Sequence, residues 1–303
     1  MLKTENYTFP DIFLAGAPKA GTTTLFDLLN THSAIQGAVN KEPAFYMDKS
    51  SPHNQSKLPN PKNNYLDFYQ TPEDGSRHLD GSSQTMYQDD LFDLIKKENV
   101  FPKFIFLLRE PAERIRSSFY YTSNNLAAVE ALNFDQYVDL LLADQHEKIR
   151  PFCKHERAFY SLSHELKFSR YHHYLERWKE VLGLDNMLIF TFDQLKKDQD
   201  LLWKDLLGFL GLAYEPLALH EKKRNPTRMV KYPKLHFWLH QVYERTGYHF
   251  PLAEPFKRLY GGLQFQSSAE DKNEASLQAL KKYFRPWNEK LAADYHVEIS
   301  QWM

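Results

Sequence analysis

The chain has 303 residues, a formal net charge of -1 and 25% charged residues. That is an ordinary globular composition, with length enough for one large domain and a real hydrophobic core. The near-neutral balance excludes a polyanion-binding surface spread over the whole molecule, so no nucleic-acid partner is expected. The one cysteine, Cys153, excludes an internal disulfide and a cysteine-rich zinc site, which suits a reducing compartment. No run approaches the ~18 apolar residues of a membrane span, and no apolar segment follows a basic start. A cytoplasmic location is the expectation, unless the sequence is a piece of a membrane-anchored enzyme.

In chain order, the apolar run 9–17 ends in glycine and predicts a buried strand. Residues 22–32 follow with Leu25, Phe26, Leu28 and Leu29 at helical spacing. A short strand is expected in "AIQGAV" (34–39). The stretch 48–76 is rich in Ser, Pro, Asn, Lys and Asp and predicts a surface excursion, with a short helix near "YLDFY". A strand end is expected in 78–87. "KFIFLL" (103–108) predicts a second buried strand, and 110–125 a helix with Pro111 at its first position. Helices are expected over 133–145, 166–183 and 200–212, a strand over 186–192, and a C-terminal helix over 273–295 broken at Pro286. This alternation predicts an α/β fold: a P-loop-like central parallel sheet flanked by helices on both faces. It is read as a single domain over 1–303, with a nucleotide-binding core over 9–212 and a helical C-terminal part over 213–303.

Ligands of such sheets sit at the carboxyl ends of strands. Two strand ends stand out, Gly16–Thr24 and Arg109–Ser117. In "GAPKAGTTT" the strand-to-helix turn presents unpaired backbone N–H groups at the positive end of a helix. Gly16 and Gly21 have the spacing of a Walker A loop, but Gly21 is followed by Thr22, Thr23 and Thr24, and the lysine, Lys19, lies inside the loop. Lys19 is placed to meet the bridging oxygen of a departing group. With no acidic strand end to hold magnesium, the loop suits transfer of a group carrying less charge than a terminal phosphoryl, such as a sulfuryl group.

"APKAGTTTL" resembles the 5′-phosphosulfate loop of sulfotransferases that use 3′-phosphoadenosine 5′-phosphosulfate (PAPS). "LLREPAERIRSSFYY" is similar to their 3′-phosphate segment, Arg-x-Pro-x-x-Arg-x-x-Ser. Weaker similarity runs through "YHHYLERW", "LIFTFDQL" and "FLGL", covering most of 9–212. The likeness is closer to the carbohydrate and heparan sulfate type and its bacterial relatives than to the phenol and steroid type.

The resemblance implies that Lys19, Ala20, Gly21, Thr22, Thr23 and Thr24 hold the 5′-phosphosulfate, and that Arg109 and Ser117 hold the 3′-phosphate. "NKEPAFY" is similar to a Lys/Ala-Glu-x-x-Phe-Phe segment whose glutamate is the base, which maps to Glu42, with Phe45 and Tyr46 as the aromatic pair. Phe45 and Tyr46, with Ser82 and Tyr87, are candidate acceptor contacts. "HLDGSSQTMY" matches the family's Glu-Lys-Ser-Pro-x-Tyr only in part, lacking the lysine and proline. Arg224 and Arg228, in a locally basic stretch, are candidates for a loop over the nucleotide's 3′ side. His32 and His78 are weaker alternatives for the base.

The expected reaction moves a sulfuryl group in one in-line step to a hydroxyl, or an amine, of a glycan or small natural product, releasing adenosine 3′,5′-bisphosphate (PAP). No metal is expected. His172 and His173 are adjacent, so they face different sides of a helix and do not share one ion. The alternatives are a P-loop nucleotide kinase, disfavoured by the missing Gly-Lys-Ser/Thr, and an inactive sulfotransferase-like module. Oligomeric state is not legible.

Overall fold

The computed structural model describes residues 1–57, 61–70, 75–125, 132–217, 228–230, 265–267 and 273–302. Two short strands, β1 (Leu2–Lys3) and β2 (Thr8–Phe9), pair antiparallel ahead of β3 (Ile12–Gly16). Then come α1 (Thr22–Leu29), β4 (Ile35–Gly37), β5 (Arg77–Asp80), α2 (Asp89–Glu98) and β6 (Lys103–Leu108). Helices α3 (Pro111–Asn125), α4 (Phe134–Leu142), α5 (Glu156–Ser163), α6 (Glu165–Phe168) and α7 (Tyr171–Leu182) follow. The order continues with β7 (Met187–Thr191), α8 (Phe192–Lys197), α9 (Gln199–Leu210), β8 (Arg228–Val230), β9 (Phe265–Ser267) and α10 (Glu274–Tyr295).

These elements group into two compact units. The first takes Met1–Glu110, Arg170–Lys223 and Phe284–Met303, and the second Pro111–Ser169 and Arg224–Tyr283.

The first unit is built on a five-stranded parallel sheet flanked by helices, in the order β4-β5-β3-β6-β7. Its central strands are apolar on both faces because both are covered: Ile12 to Ala15 and Phe104 to Leu108 are all at most 1% exposed. From β3 the chain goes out to β4 and β5 on one side, then returns to β6 and β7 on the other. The turning point therefore lies between the carboxyl ends of β3 and β6, where α/β sheets open a ligand crevice. Trp178 of α7 packs its ring 4.7 Å from Phe104 and donates Nε1–H to the Met86 carbonyl at 2.8 Å, fixing that helix to the sheet.

In the second unit the Arg114 guanidinium is buried in an ion pair with Glu165 and donates to Ser169 Oγ. Phe119, Phe134 and Tyr137 pack against one another as an aromatic core. Strands β8 and β9 pair antiparallel.

Two of the expected helices differ. The helix expected over 166–183 is two, α6 and α7, parted at Ser169, whose hydroxyl donates to the Glu165 carbonyl one turn back. Pro286 does not break α10, which runs through it; one backbone bond is forgone, while Leu280, Phe284 and Leu291 are buried along the helix. His78, a weaker alternative for the base, lies within β5, is 1% exposed, and its backbone N–H donates to Asp11 at 2.8 Å.

Candidate active site

The loop after β3, the end of β6, and the turns after β4 and β5 all belong to the first unit. The turn after β3 is shaped by backbone that side chains resist. Lys19 adopts φ 66° and Gly21 φ 96°, both left-handed. Gly21 stands at the N-cap of α1, where no side chain caps the helix and no acidic residue lies in its first turn. By contrast α8 opens on a capping box, with Thr191 Oγ1 accepting from the Gln194 N–H at 3.2 Å. That box sets Phe192 at the first position of α8, and its ring lies so close that a Cβ on Gly21 would come within 2.7 Å of it. Glycine is required at position 21 both by its φ and by this contact.

Thr22 is buried, while Thr23 and Thr24 are exposed on the opening turn of α1. Ala20 is buried beneath the loop. Arg109, the first residue after β6, donates from Nη1 to the Lys19 carbonyl at 3.2 Å. Its guanidinium carbon lies 5.3 Å from the centre of the Phe192 ring, and its own carbonyl accepts from the Tyr171 hydroxyl at 2.9 Å. The loop after β3 and the end of β6 are thus joined, as the two strand ends suggested.

Glu42 lies in the turn after β4, and its side chain is 43% exposed rather than sunk in a dry cleft. Oε1 accepts from Lys41 Nζ at 2.8 Å and from Ser83 Oγ at 2.9 Å. Lys41 Nζ also donates to Thr22 Oγ1 at 3.2 Å and to the Gly81 carbonyl at 3.0 Å. The carboxylate therefore stands two hydrogen bonds from the opening residue of α1. Among the described residues none donates to Oε2.

Behind this lies a buried acid. Asp80, the last residue of β5, is 2% exposed; Oδ1 accepts from the Ser82 N–H at 2.8 Å and Oδ2 from the Tyr65 hydroxyl at 2.9 Å. Burial raises its carboxyl above the ordinary range, with the Ser82 and Tyr65 hydrogen bonds opposing and the Glu42 charge adding. Ser82 is buried, its hydroxyl accepting from the Ala44 N–H at 3.0 Å. Tyr87 is buried with its ring 4.8 Å from that of Tyr174.

Phe45 and Tyr46 are half-buried in an aromatic cluster with Tyr65 and Phe68, and the Tyr46 hydroxyl donates to the Thr8 carbonyl. Burial pushes the Tyr46 phenol above its usual range, so that hydroxyl stays protonated. The excursion after residue 48 thus supplies the wall against which this pair packs.

The remaining candidates fall elsewhere. Ser117 is buried in α3, in the second unit. Arg224 lies outside the described residues; Arg228 opens β8, and its side chain also lies outside them. His32 is buried, with Nε2 3.0 Å from the Ala213 carbonyl. His172 and His173 diverge: His172 Nε2 lies 2.6 Å from Asp294 Oδ2, while the His173 ring meets Tyr174. Burial pushes the Cys153 thiol up to about 11, an inert thiol at neutral pH. Lys41, Ser83 and Phe192 are contacts that sequence reasoning did not single out. The signal for Lys41 was its match to the first position of the Lys/Ala-Glu-x-x-Phe-Phe segment, a position that alanine also fills in that pattern.

The sulfotransferase domain model matches residues 9–233, about three quarters of the chain. The chain belongs to the sulfotransferase domain family. Among solved structures, the sulfotransferase of Alicyclobacillus acidocaldarius aligns with a TM-score of 0.63 at 17% identity, over 98% of this chain and 99% of that one. The sulfotransferase domain from the curacin biosynthetic pathway aligns at 0.41 and 13% identity, over 71% of this chain and 78% of that one. Mouse sulfotransferase SULT7A1, complexed with PAP, aligns at 0.38 and 17% identity, over 68% and 59%. No curated protein sequence matches the chain. The first of these likenesses supports the fold, and the other two carry no further argument. Among the described residues of this sulfotransferase, no helix is long and apolar enough to cross a membrane.

Proposed function

We propose that this sulfotransferase uses PAPS and moves its sulfuryl group in one in-line step to a hydroxyl of a glycan or small natural product, with Glu42 as general base. The observation that carries the reading is the short chain Glu42–Lys41–Thr22, which sets a carboxylate beside the uncapped opening of α1.

The loop suits a sulfonated nucleotide. Gly21 lets the turn adopt a left-handed backbone at the uncapped N-terminus of α1, the first turn of α1 carries no acidic group, and Lys19 and Arg109 supply cations at the ends of adjacent strands. When bound, PAPS supplies the sulfuryl group and the bisphosphate leaving group. Lys19 and the α1 amides hold the charge that grows on the 5′-phosphate side, and Thr22 to Thr24 offer hydroxyl donors. Arg109 offers its guanidinium to the 3′-phosphate. Glu42 takes the acceptor's proton at Oε2 as the acceptor oxygen bonds to sulfur on the side opposite the leaving oxygen.

The acceptor surface includes the rim near Phe45 and Tyr46. A sugar hydroxyl is the favoured target, with amines and carrier-bound acyl alcohols as the other classes, and the reaction is placed in the cytoplasm. The test is a transfer screen with sulfur-labelled PAPS over glycans, alcohols, amines and carrier-bound acyl groups, read by mass spectrometry. With any acceptor found, Glu42→Gln is expected to lose about 10²- to 10⁴-fold in turnover while still binding PAP. Wild-type turnover in that variant would refute the base assignment.

A further inference from the structure

We propose that Lys41 is a positioning residue that locks the base to the donor loop; this rests on the PAPS-dependent reading above. Lys41 is clamped from backbone to side-chain tip. Its carbonyl accepts from the Gly81 N–H at 2.9 Å, and its ammonium returns to the Gly81 carbonyl at 3.0 Å. A Cβ on Gly81 would lie 2.8 Å from Lys41 Cγ, so position 81 has to be small for the lysine stem to lie there. The side chain is 18% exposed.

An ammonium has three protons. Here they meet three acceptors on three different segments: Gly81 after β5, Glu42 after β4, and Thr22 at the start of α1. A fully engaged lysine loses the mobility of its stem and becomes a rigid strut.

Two chemical consequences follow. First, Oε1 of Glu42 is committed to Lys41 and Ser83, which leaves Oε2 as the oxygen that takes the acceptor's proton. Second, Thr22 Oγ1 accepts from Lys41, so the Thr22 hydroxyl proton is turned toward any other acceptor at the mouth of α1, such as a sulfonate oxygen. One side chain thereby sets both the oxygen that removes the proton and the donor hydroxyl across from it. A strut of this kind acts on turnover rather than on nucleotide affinity, and its effect passes through Glu42.

The test needs no identified acceptor. With PAPS alone, water takes the sulfuryl group: a water oxygen bonds to sulfur as the sulfur–oxygen bond to the bisphosphate breaks, and sulfate and PAP are released together with the two protons of the water. PAP release at saturating PAPS is measured for wild type, Lys41→Met, Glu42→Gln and the double variant, with PAP affinity by calorimetry for each. Methionine keeps the length of the stem and removes the ammonium. Lys41→Met is expected to release PAP about 10²-fold more slowly with PAP affinity changed less than about threefold, and to cost less than about threefold when Glu42 is already Gln. Equal losses in both backgrounds, or a wild-type rate in Lys41→Met, would overturn the strut. If Lys41→Met does not fold, Lys41→Gln is carried through the same cycle with the same criteria. Failure of wild type itself to bind PAP would instead overturn the PAPS reading beneath it, so the two failures are distinguishable.

Discussion

Arg109 and Lys19, ninety positions apart in the chain, are joined by a hydrogen bond of 3.2 Å from the arginine Nη1 to the lysine carbonyl. The bond joins the ends of two adjacent strands of the sheet, β3 and β6, at the point where the chain changes direction across it. Arg109 also lies against Phe192, so its guanidinium is held between a backbone oxygen and an aromatic face. Truncating it removes both a cation and a support for the loop. Arg109→Ala is expected to weaken PAP binding by about 10- to 100-fold, the scale of one lost charge-assisted hydrogen bond. Calorimetric titration of PAP checks this, and unchanged affinity would refute the role.

Gly21 gives a prediction of a different kind, because its substitution meets two obstacles. Alanine at φ 96° costs about 1–2 kcal/mol in backbone strain, and its Cβ would also run into the Phe192 ring at 2.7 Å. Gly21→Ala should therefore lower the melting temperature and weaken PAP binding together. Phe192→Ala alone removes the ring behind Arg109, so the double variant is read against both single ones: its loss of affinity should be smaller than the two single losses combined, since the collision is relieved while the backbone strain remains. Affinity equal to that of Phe192→Ala would mean that φ at position 21 is unimportant, and additive losses that Phe192 is not the obstacle.

Asp80 predicts a pH dependence of stability. Its folded carboxyl is raised by burial above the unfolded value of about 3.9. A raised carboxyl adds stability below the unfolded value, and that contribution is lost as pH rises through the folded one. In urea titrations, the stability of wild type minus that of Asp80→Asn should fall as pH rises from about 4 toward neutrality. A difference independent of pH would show that Asp80 is not held in its neutral form.

Much of this fold was legible in the residues. "FLAG" and "KFIFLL" read as buried strands because they are continuous apolar runs, and both are central strands of the sheet. The two strand ends that stand out in the sequence belong to strands that pair in the sheet, an adjacency that chain order alone does not give. Helix α2 is not among the expected elements although Leu91, Phe92 and Ile95 have helical spacing and Asp89 and Asp90 lie in its first turn. It directly follows a polar stretch that reads as a strand end. The hairpin of β1 and β2 is not legible either, since strands of two residues carry no periodicity.

The site divides along the same line. Residues on the loop and at the strand end are legible because local backbone points to them, as with Gly21. Lys41 is not, because its contacts with Thr22 and Gly81 lie nineteen and forty positions away in the chain. Arg114, the second arginine of Arg-x-Pro-x-x-Arg-x-x-Ser, spends its charge on the buried Glu165. A motif match alone does not separate an arginine that meets a ligand from one that meets a buried carboxylate.

The central claim, that the turn opening α1 grips a sulfonated nucleotide, is tested most directly by calorimetry. PAP is titrated into the wild-type protein and into Lys19→Ala without added metal, with ATP and magnesium as the comparison. The account predicts saturable PAP binding to the wild type, weakened in Lys19→Ala, and no comparable binding of magnesium ATP. Absence of PAP binding, or preference for magnesium ATP, would contradict it.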